Sequence, residues 1–154
     1  MSADKQVKIM RGPSGCGKST LAKKLMVEAD RLGQLPIICS ADDFFVNAYG
    51  YQFDVSKLGD AHKWCLQRYL QFLQDGMNPI IVDNTNINVE DVAPYYAVGE
   101  AYGYDVEILQ LTTPAEVAIG RNVHGVPDAQ VQNMFYRLSR INLPKRWKLT
   151  KITP

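Results

Sequence analysis

Apolar positions along the chain fall into two alternating rhythms. Short runs of nearly consecutive apolar residues, Val7-Lys8-Ile9-Met10, Leu35 to Cys39, Pro79 to Val82 and Val106 to Leu111, read as strands. Runs of this kind suit strands covered on both faces of a parallel sheet. Between them the apolar positions shift to helical spacing. Leu21, Leu25 and Leu32 recur from Ser19 to Leu32, with Gly33 as a stop. A longer amphipathic stretch from Ser56 to Gln74 carries Leu58, Leu66, Tyr69, Leu70 and Leu73, and Gly76 ends it. Val89 to Tyr102 reads as a helix, as do shorter segments at about Pro114 to Arg121 and Asp128 to Ile141. Asn47 to Phe53, "NAYGYQF", reads as an aromatic loop. Alternating strands and helices predict a three-layer α/β architecture with a central parallel sheet of four to five strands flanked by helices. A single domain over 1–154 is expected, with a small lid at about 114–140 and a basic tail at 141–154.

Composition narrows this little. A chain of 154 residues is long enough for one domain that buries roughly 70% of its unfolded surface. Net charge is +1 and predicts no partner by itself. The distribution is uneven. No acid follows Asp128, while Arg137, Arg140, Lys145, Arg146, Lys148 and Lys151 are all basic, so this end is either a solvated tail or part of an anion-binding face. Cys16, Cys39 and Cys65 are odd in number and lack metal-ligand spacing, which argues for a reducing compartment. The first ten residues lack the apolar segment of a signal peptide, and no apolar run approaches 18 residues. A cytoplasmic or nuclear protein with no membrane association is expected.

The chemistry starts at residues 12 to 19. "GPSGCGKS" fits G-x-x-x-x-G-K-[ST] between a strand and a helix. Gly12, Gly15 and Gly17 let backbone N–H groups converge on phosphate oxygens. Lys18 is expected to reach the β- and γ-phosphates, and the Ser19 hydroxyl to ligate Mg²⁺. Gly12, Pro13, Ser14, Gly15, Cys16, Gly17, Lys18, Ser19, Thr20 and Arg121 form the expected nucleotide-binding set. The fold class becomes a kinase-type P-loop NTPase. A switch GTPase would need N-K-x-D, which is absent, and a motor would normally be larger.

Carboxylates are the next candidates. Asp83 closes the third strand, where an acid usually assists Mg²⁺, and Asn84, Thr85 and Asn86 follow it either to orient it or to meet the acceptor. Asp42 and Asp43 sit side by side after the second strand, in "CSADDFF". Strand C-termini face the ligand in open parallel sheets, so Asp42 is the candidate general base, taking the proton of an attacking hydroxyl. Asp43 would orient Asp42 or the next loop. In "AIGRNVHGVP", Arg121 is the candidate lid arginine that neutralises the transferring phosphoryl group, or else a surface arginine. His124 is either a ligand contact or a turn residue, and His62 is expected to be structural.

The set "GPSGCGKSTLAKKL", "SADDFF", "VDNTN" and "RNVHGVP" followed by "MFYRLSR", in that order over roughly Lys8 to Arg140, resembles the P-loop polynucleotide 5′-kinase family. That resemblance implies transfer of the γ-phosphate of ATP to the 5′-hydroxyl of a DNA or RNA end, with Asp42 as base, Lys18 and Ser19 on the phosphates and metal, and Arg121 in the lid. Two positions depart from the phage enzyme of that family, which carries arginines where this chain has Phe45 and Gly125, and both bear on recognition of a substrate 3′-phosphate. Phe44, Phe45, Tyr49 and Tyr51 are candidates to stack on a terminal base, or to belong to the core. The alternative function is a small-molecule kinase with a nucleoside, sugar-acid or nucleotide-sugar acceptor.

Overall fold

The computed structural model describes residues 4–121 and 125–154. Strand β1 (Gln6–Arg11) leads through a glycine turn into helix α1 (Lys18–Arg31) and then strand β2 (Ile37–Cys39). A 3₁₀ turn at Ala41–Phe45 follows, then the short strands β3 (Val46–Asn47) and β4 (Gly50–Tyr51), a second 3₁₀ turn at Val55–Lys57 and helix α2 (Leu58–Gln74). Strand β5 (Ile80–Asp83), helix α3 (Val89–Ala101), strand β6 (Asp105–Leu111), helices α4 (Ala115–Gly120) and α5 (Asp128–Arg140) and strand β7 (Leu149–Ile152) complete the described chain.

Five strands form one sheet in the order β2-β5-β1-β6-β7, every neighbouring pair parallel. Val7 is in register with both Ile80 and Val106, which places β1 at the centre. Alternate residues of the strands feed two cores. Val7, Ile9, Ile80, Val82, Val106 and Ile108 pack with Cys65, Tyr69, Leu73, Val92 and Tyr96 from α2 and α3. Met10, Ile81, Leu109 and Leu111 pack with Ala22 of α1 and Ala118 of α4. Burial on both faces explains the consecutive apolar runs of β1, β5 and β6.

Three expectations change. The residues read as a basic tail contain β7, which pairs Ile108 with Leu149 and Leu111 with Ile152 along β6. Its cations are tied to neighbouring acids. Lys148 Nζ lies 3.2 Å from a Glu107 oxygen and 3.7 Å from Asp105, and Arg146 lies 3.7 Å from Glu100. Those acids sit near the start of β6 and the end of α3, the sheet edge opposite the glycine turn. Arg146 and Lys148 therefore do not extend a basic face toward that turn. Trp147 between them is buried and stacks on Tyr96, and the Lys148 N–H donates to the Tyr96 hydroxyl at 2.8 Å. Second, "NAYGYQF" is a hairpin, with Val46 opposite Tyr51 and Asn47 opposite Gly50, whose φ of +104° favours glycine. Third, β2 starts at Ile37. Leu35 is 63% exposed and makes an isolated bridge to Asn78.

Candidate active site

The glycine turn after β1 is held from three sides. The Gly12 N–H donates to the Thr85 carbonyl at 2.9 Å, and the Thr113 hydroxyl donates to the Cys16 carbonyl at 2.6 Å. Gly15 and Gly17 adopt φ of +82° and +101°, the left-handed region that glycine enters without strain. A Cβ on Gly15 would run into the Ala118 carbonyl oxygen, and one on Gly12 would lie 2.6 Å from the Cys16 sulfur. Helix α4 therefore packs directly on the turn, and α1 opens at Lys18 with its first N–H groups facing it, a ready anion site. Lys18 is nearly buried, and its ammonium donates to the Pro13 carbonyl at 2.8 Å.

The acid pair separates. Ser40 Oγ accepts the Asp42 N–H at 3.3 Å, and Asn84 Oδ1 accepts the Ala41 N–H at 2.9 Å, so the 3₁₀ turn is pinned to the loop after β5. Asp42 lines the cleft over the glycine turn. Asp43 turns instead to Arg68 of α2, 3.8 Å away, whose guanidinium lies over the rings of Trp64 and Phe72. Burial pushes the Asp43 carboxyl up, Arg68 pulls it down and Asp42 adds to the rise. Splayed apart, with one partnered, the two charges tolerate adjacency. The Tyr51 hydroxyl donates to Asp42 Oδ1 over a long 3.4 Å.

A cleft of about 250 Å³ gathers Ser14, Gly15, Gly17, Lys18, Ser19, Thr20, Asp42, Asp83, Asn84, Thr85 and Arg121. Inside it the Ser19 hydroxyl donates to Asp83 Oδ2 at 3.0 Å. Burial pushes the Asp83 carboxyl above its ordinary range, opposed by Lys18 and the Ser19 hydrogen bond and reinforced by Asp42 and Asp43. A buried, ionisable carboxylate beside a hydroxyl is a hard oxygen-donor pair that fits Mg²⁺. The glycine turn, where a Cβ would fill the cradle, fits a phosphate chain.

Asp83 also carries a stability prediction. Its folded pKa lies above the unfolded value, so the ionised folded chain is penalised above that folded pKa and relieved as the pH falls through it. Asp83→Asn should raise the melting temperature of the nucleotide-free protein at neutral pH, on the order of 2 °C. The gap should narrow on acidification and close near the unfolded carboxylate pKa, about 3.9. A lower melting temperature at neutral pH would mean that burial is not the dominant influence on this group.

Most of the expected site residues come together. Arg121 ends α4, exposed and lining the cleft. His124 lies outside the described residues. Phe45 is buried in the larger core with Phe44 packed against it, so neither is available for base stacking. His62 is exposed on α2 and does not serve the core. Asn86 meets neither metal nor acceptor. It is buried at φ +50°, donating to the Met10 carbonyl at 2.7 Å while its own carbonyl accepts from Arg11 Nε at 3.0 Å.

Arg11 itself escaped the sequence reading, although a charge at the end of an apolar strand was a signal. It is buried, bonded to Asn86, Ile87 and Gln110, and burial lowers its pKa to about 10. It stitches the loop after β5 to β1 and β6 beneath the cleft. The sulfurs of Cys39 and Cys65 lie 3.3 Å apart as free thiols, and Asn84 Nδ2 donates to Cys65 at 3.6 Å. Nothing in their sequence contexts marks them as neighbours.

A five-stranded parallel sheet with a phosphate loop after its central strand and helices on both faces is the architecture of the P-loop kinases. Among solved structures, an APS kinase CysC from Mycobacterium tuberculosis in complex with AMPPNP and APS superposes with a TM-score of 0.65 at 18% identity, over 98% of this chain and 89% of that one. A chain of the Pnkp1/Rnl/Hen1 RNA repair complex superposes with a TM-score of 0.68 at 17% identity, over 91% and 46%. A family profile described as "AAA domain" matches residues 7–138, and the chain belongs to that family. It is 36% identical over 137 residues to human NEDD4-binding protein 2, covering 86% of this chain and 8% of that protein. It is 26% identical over 129 residues to a putative bifunctional polynucleotide kinase/RNA ligase of Autographa californica nuclear polyhedrosis virus, covering 79% and 18%. The chain thus spans less than a fifth of the length of these curated relatives.

Proposed function

We propose that the protein is an ATP- and Mg²⁺-dependent kinase that transfers the γ-phosphate to the 5′-hydroxyl of a DNA or RNA end. The observation that carries this reading is the divergence of the acid pair: Asp42 lines the cleft with Lys18, Ser19, Asp83 and Arg121, while Asp43 is turned away to Arg68. With the triphosphate on the glycine turn, Asp42 accepts the proton of the acceptor hydroxyl as its oxygen attacks the γ-phosphorus and ADP leaves. Lys18 and Arg121 offset the charge on the transferring group. Ser19 and Asp83 would hold Mg²⁺, which when bound neutralises charge on the phosphate oxygens. Support for a nucleic-acid acceptor comes from the viral relative and from the RNA repair complex, each by its own name. A small-molecule acceptor is the second reading, favoured by the fold's likeness to APS kinase and by the near-balanced charge.

Labelled ATP with 5′-hydroxyl DNA, 5′-hydroxyl RNA and a panel of small alcohol acceptors tests both. Label at an oligonucleotide 5′ end is the expected result. Label on a small acceptor alone would replace this reading with the second, and ATP binding with no transfer to anything would remove both.

A further inference from the structure

We propose that the β3–β4 hairpin and the residue just beyond it form a stacking platform for the 5′-terminal nucleobase of the acceptor, with Tyr51 and Phe53 as its surface. This deepens, and rests on, the reading of the cleft as a polynucleotide kinase site.

Aromatic side chains stand out of the core here to an unusual degree. Tyr49 is 91% exposed, Phe53 53% and Tyr51 40%, whereas Phe45 beneath them is 5% exposed. Exposed rings on so short a segment are an apolar patch that folding has not used. The patch is supported from below. The ring of Phe45 meets those of Phe53 and Tyr51 edge-on, at centroid distances of 5.1 and 6.2 Å. Tyr51 and Phe53 then lie nearly parallel, 12° apart with centroids 6.5 Å apart. The Gln52 N–H donates to the Phe45 carbonyl at 2.9 Å, and Asn47 Nδ2 bonds Gln52 Oε1 at 3.0 Å, so the backbone presenting these rings is tied down. A groove of about 770 Å³ opens beside Phe53, over Phe44 and Phe45.

Position identifies the occupant. The Tyr51 hydroxyl donates to Asp42 Oδ1, so the platform begins one side chain away from the carboxylate that takes the acceptor's proton. In a nucleoside, one sugar separates the 5′-hydroxyl from the base. An acceptor with its hydroxyl at Asp42 brings its own base to these rings, and no partner other than the substrate is required to be there. The charges point the same way. Asp42, Asp43 and Asp54 surround the hairpin, Arg68 is committed to Asp43, and Lys57 is the one cation among the described residues lining the groove. Arg146 and Lys148 are held by acids at the far edge of the sheet. A polyanion whose end enters this acidic corner is gripped there by stacking, which accepts any base because every base offers a π-face.

The test uses the full chain and two short single-stranded oligonucleotides with a 5′-hydroxyl, identical except that one has a normal terminal base and the other an abasic tetrahydrofuran unit. Binding by fluorescence anisotropy and phosphorylation are measured separately at two salt concentrations. The abasic end should bind about 10-fold more weakly or worse, with a ratio that salt leaves unchanged. Phe53→Ala should erase the ratio, and Phe53→Trp should restore it. Equal affinity of the two ends for the unmutated protein, or no binding of either, overturns the platform whatever the variants do. Discrimination in binding without transfer of phosphate supports the platform and removes the kinase reading, whereas equal KM for two phosphorylated ends keeps the kinase and removes the platform.

Discussion

Asp42→Asn should lower kcat by about 10²-fold or more, the scale of losing a general base, and leave ATP affinity nearly unchanged. The substitution keeps the shape of the side chain. An amide oxygen still accepts the Tyr51 hydroxyl, and the backbone bond from residue 42 to Ser40 is untouched, so the turn stays where it is. What disappears is the ability to hold a proton during attack. Asp43→Asn provides the contrast. Its partner Arg68 lies 3.8 Å away, and both side chains are about a third exposed or more, so the pair contributes less than about 1 kcal/mol. Arg68 also keeps its contacts with Trp64 and Phe72. Activity should stay within a small factor of the parent enzyme. Steady-state kinetics on both variants decide the assignment: near-normal turnover in Asp42→Asn with loss in Asp43→Asn would make Asp43 the base.

How much of this is written locally in the chain differs from residue to residue. The glycine turn is legible because its spacing is a covalent fact and its chemistry needs only backbone N–H groups, one lysine and one hydroxyl. Strands β1, β5 and β6 are legible because two-sided burial leaves runs such as Ile80-Ile81-Val82. By contrast, β7 is an edge strand whose Leu149, Thr150 and Lys151 are exposed, so it carries a tail's composition while the pairing with β6 makes it a strand. The β3–β4 hairpin has strands of two residues each, too short for any alternation to show. Asp42 and Asp43 are equivalent in sequence, and only Arg68, on a helix that follows the hairpin, and Asn84, in the loop after β5, distinguish them. The aromatic residues split in the same way: Phe44 and Phe45 join the core, while Tyr49 remains outside. Long-range partners decide each of these cases, and a linear pattern does not contain them.

Lys18→Ala should reduce phosphoryl transfer by about 10²–10³-fold or more, with folding intact. In the nucleotide-free structure the ammonium is nearly buried and satisfied by a neutral acceptor, the Pro13 carbonyl. A buried cation with so little compensation contributes no large share of stability, so its removal should leave the melting temperature close to that of the parent. The Pro13 carbonyl lies at the mouth of the cleft and loses one donor without being sealed from water. The cost falls on turnover because the lysine's place beside the glycine turn puts its charge where the γ-phosphate oxygens gather negative charge as the bond to ADP breaks. Lys18→Arg should fail as well, since a planar guanidinium is larger than the ammonium and the space around Lys18 is closed by Cys16 and Pro13. Single-turnover measurements on the two variants, beside thermal melts, check this. Near-normal turnover in either variant would mean that charge at Lys18 is not what stabilises the transferring group.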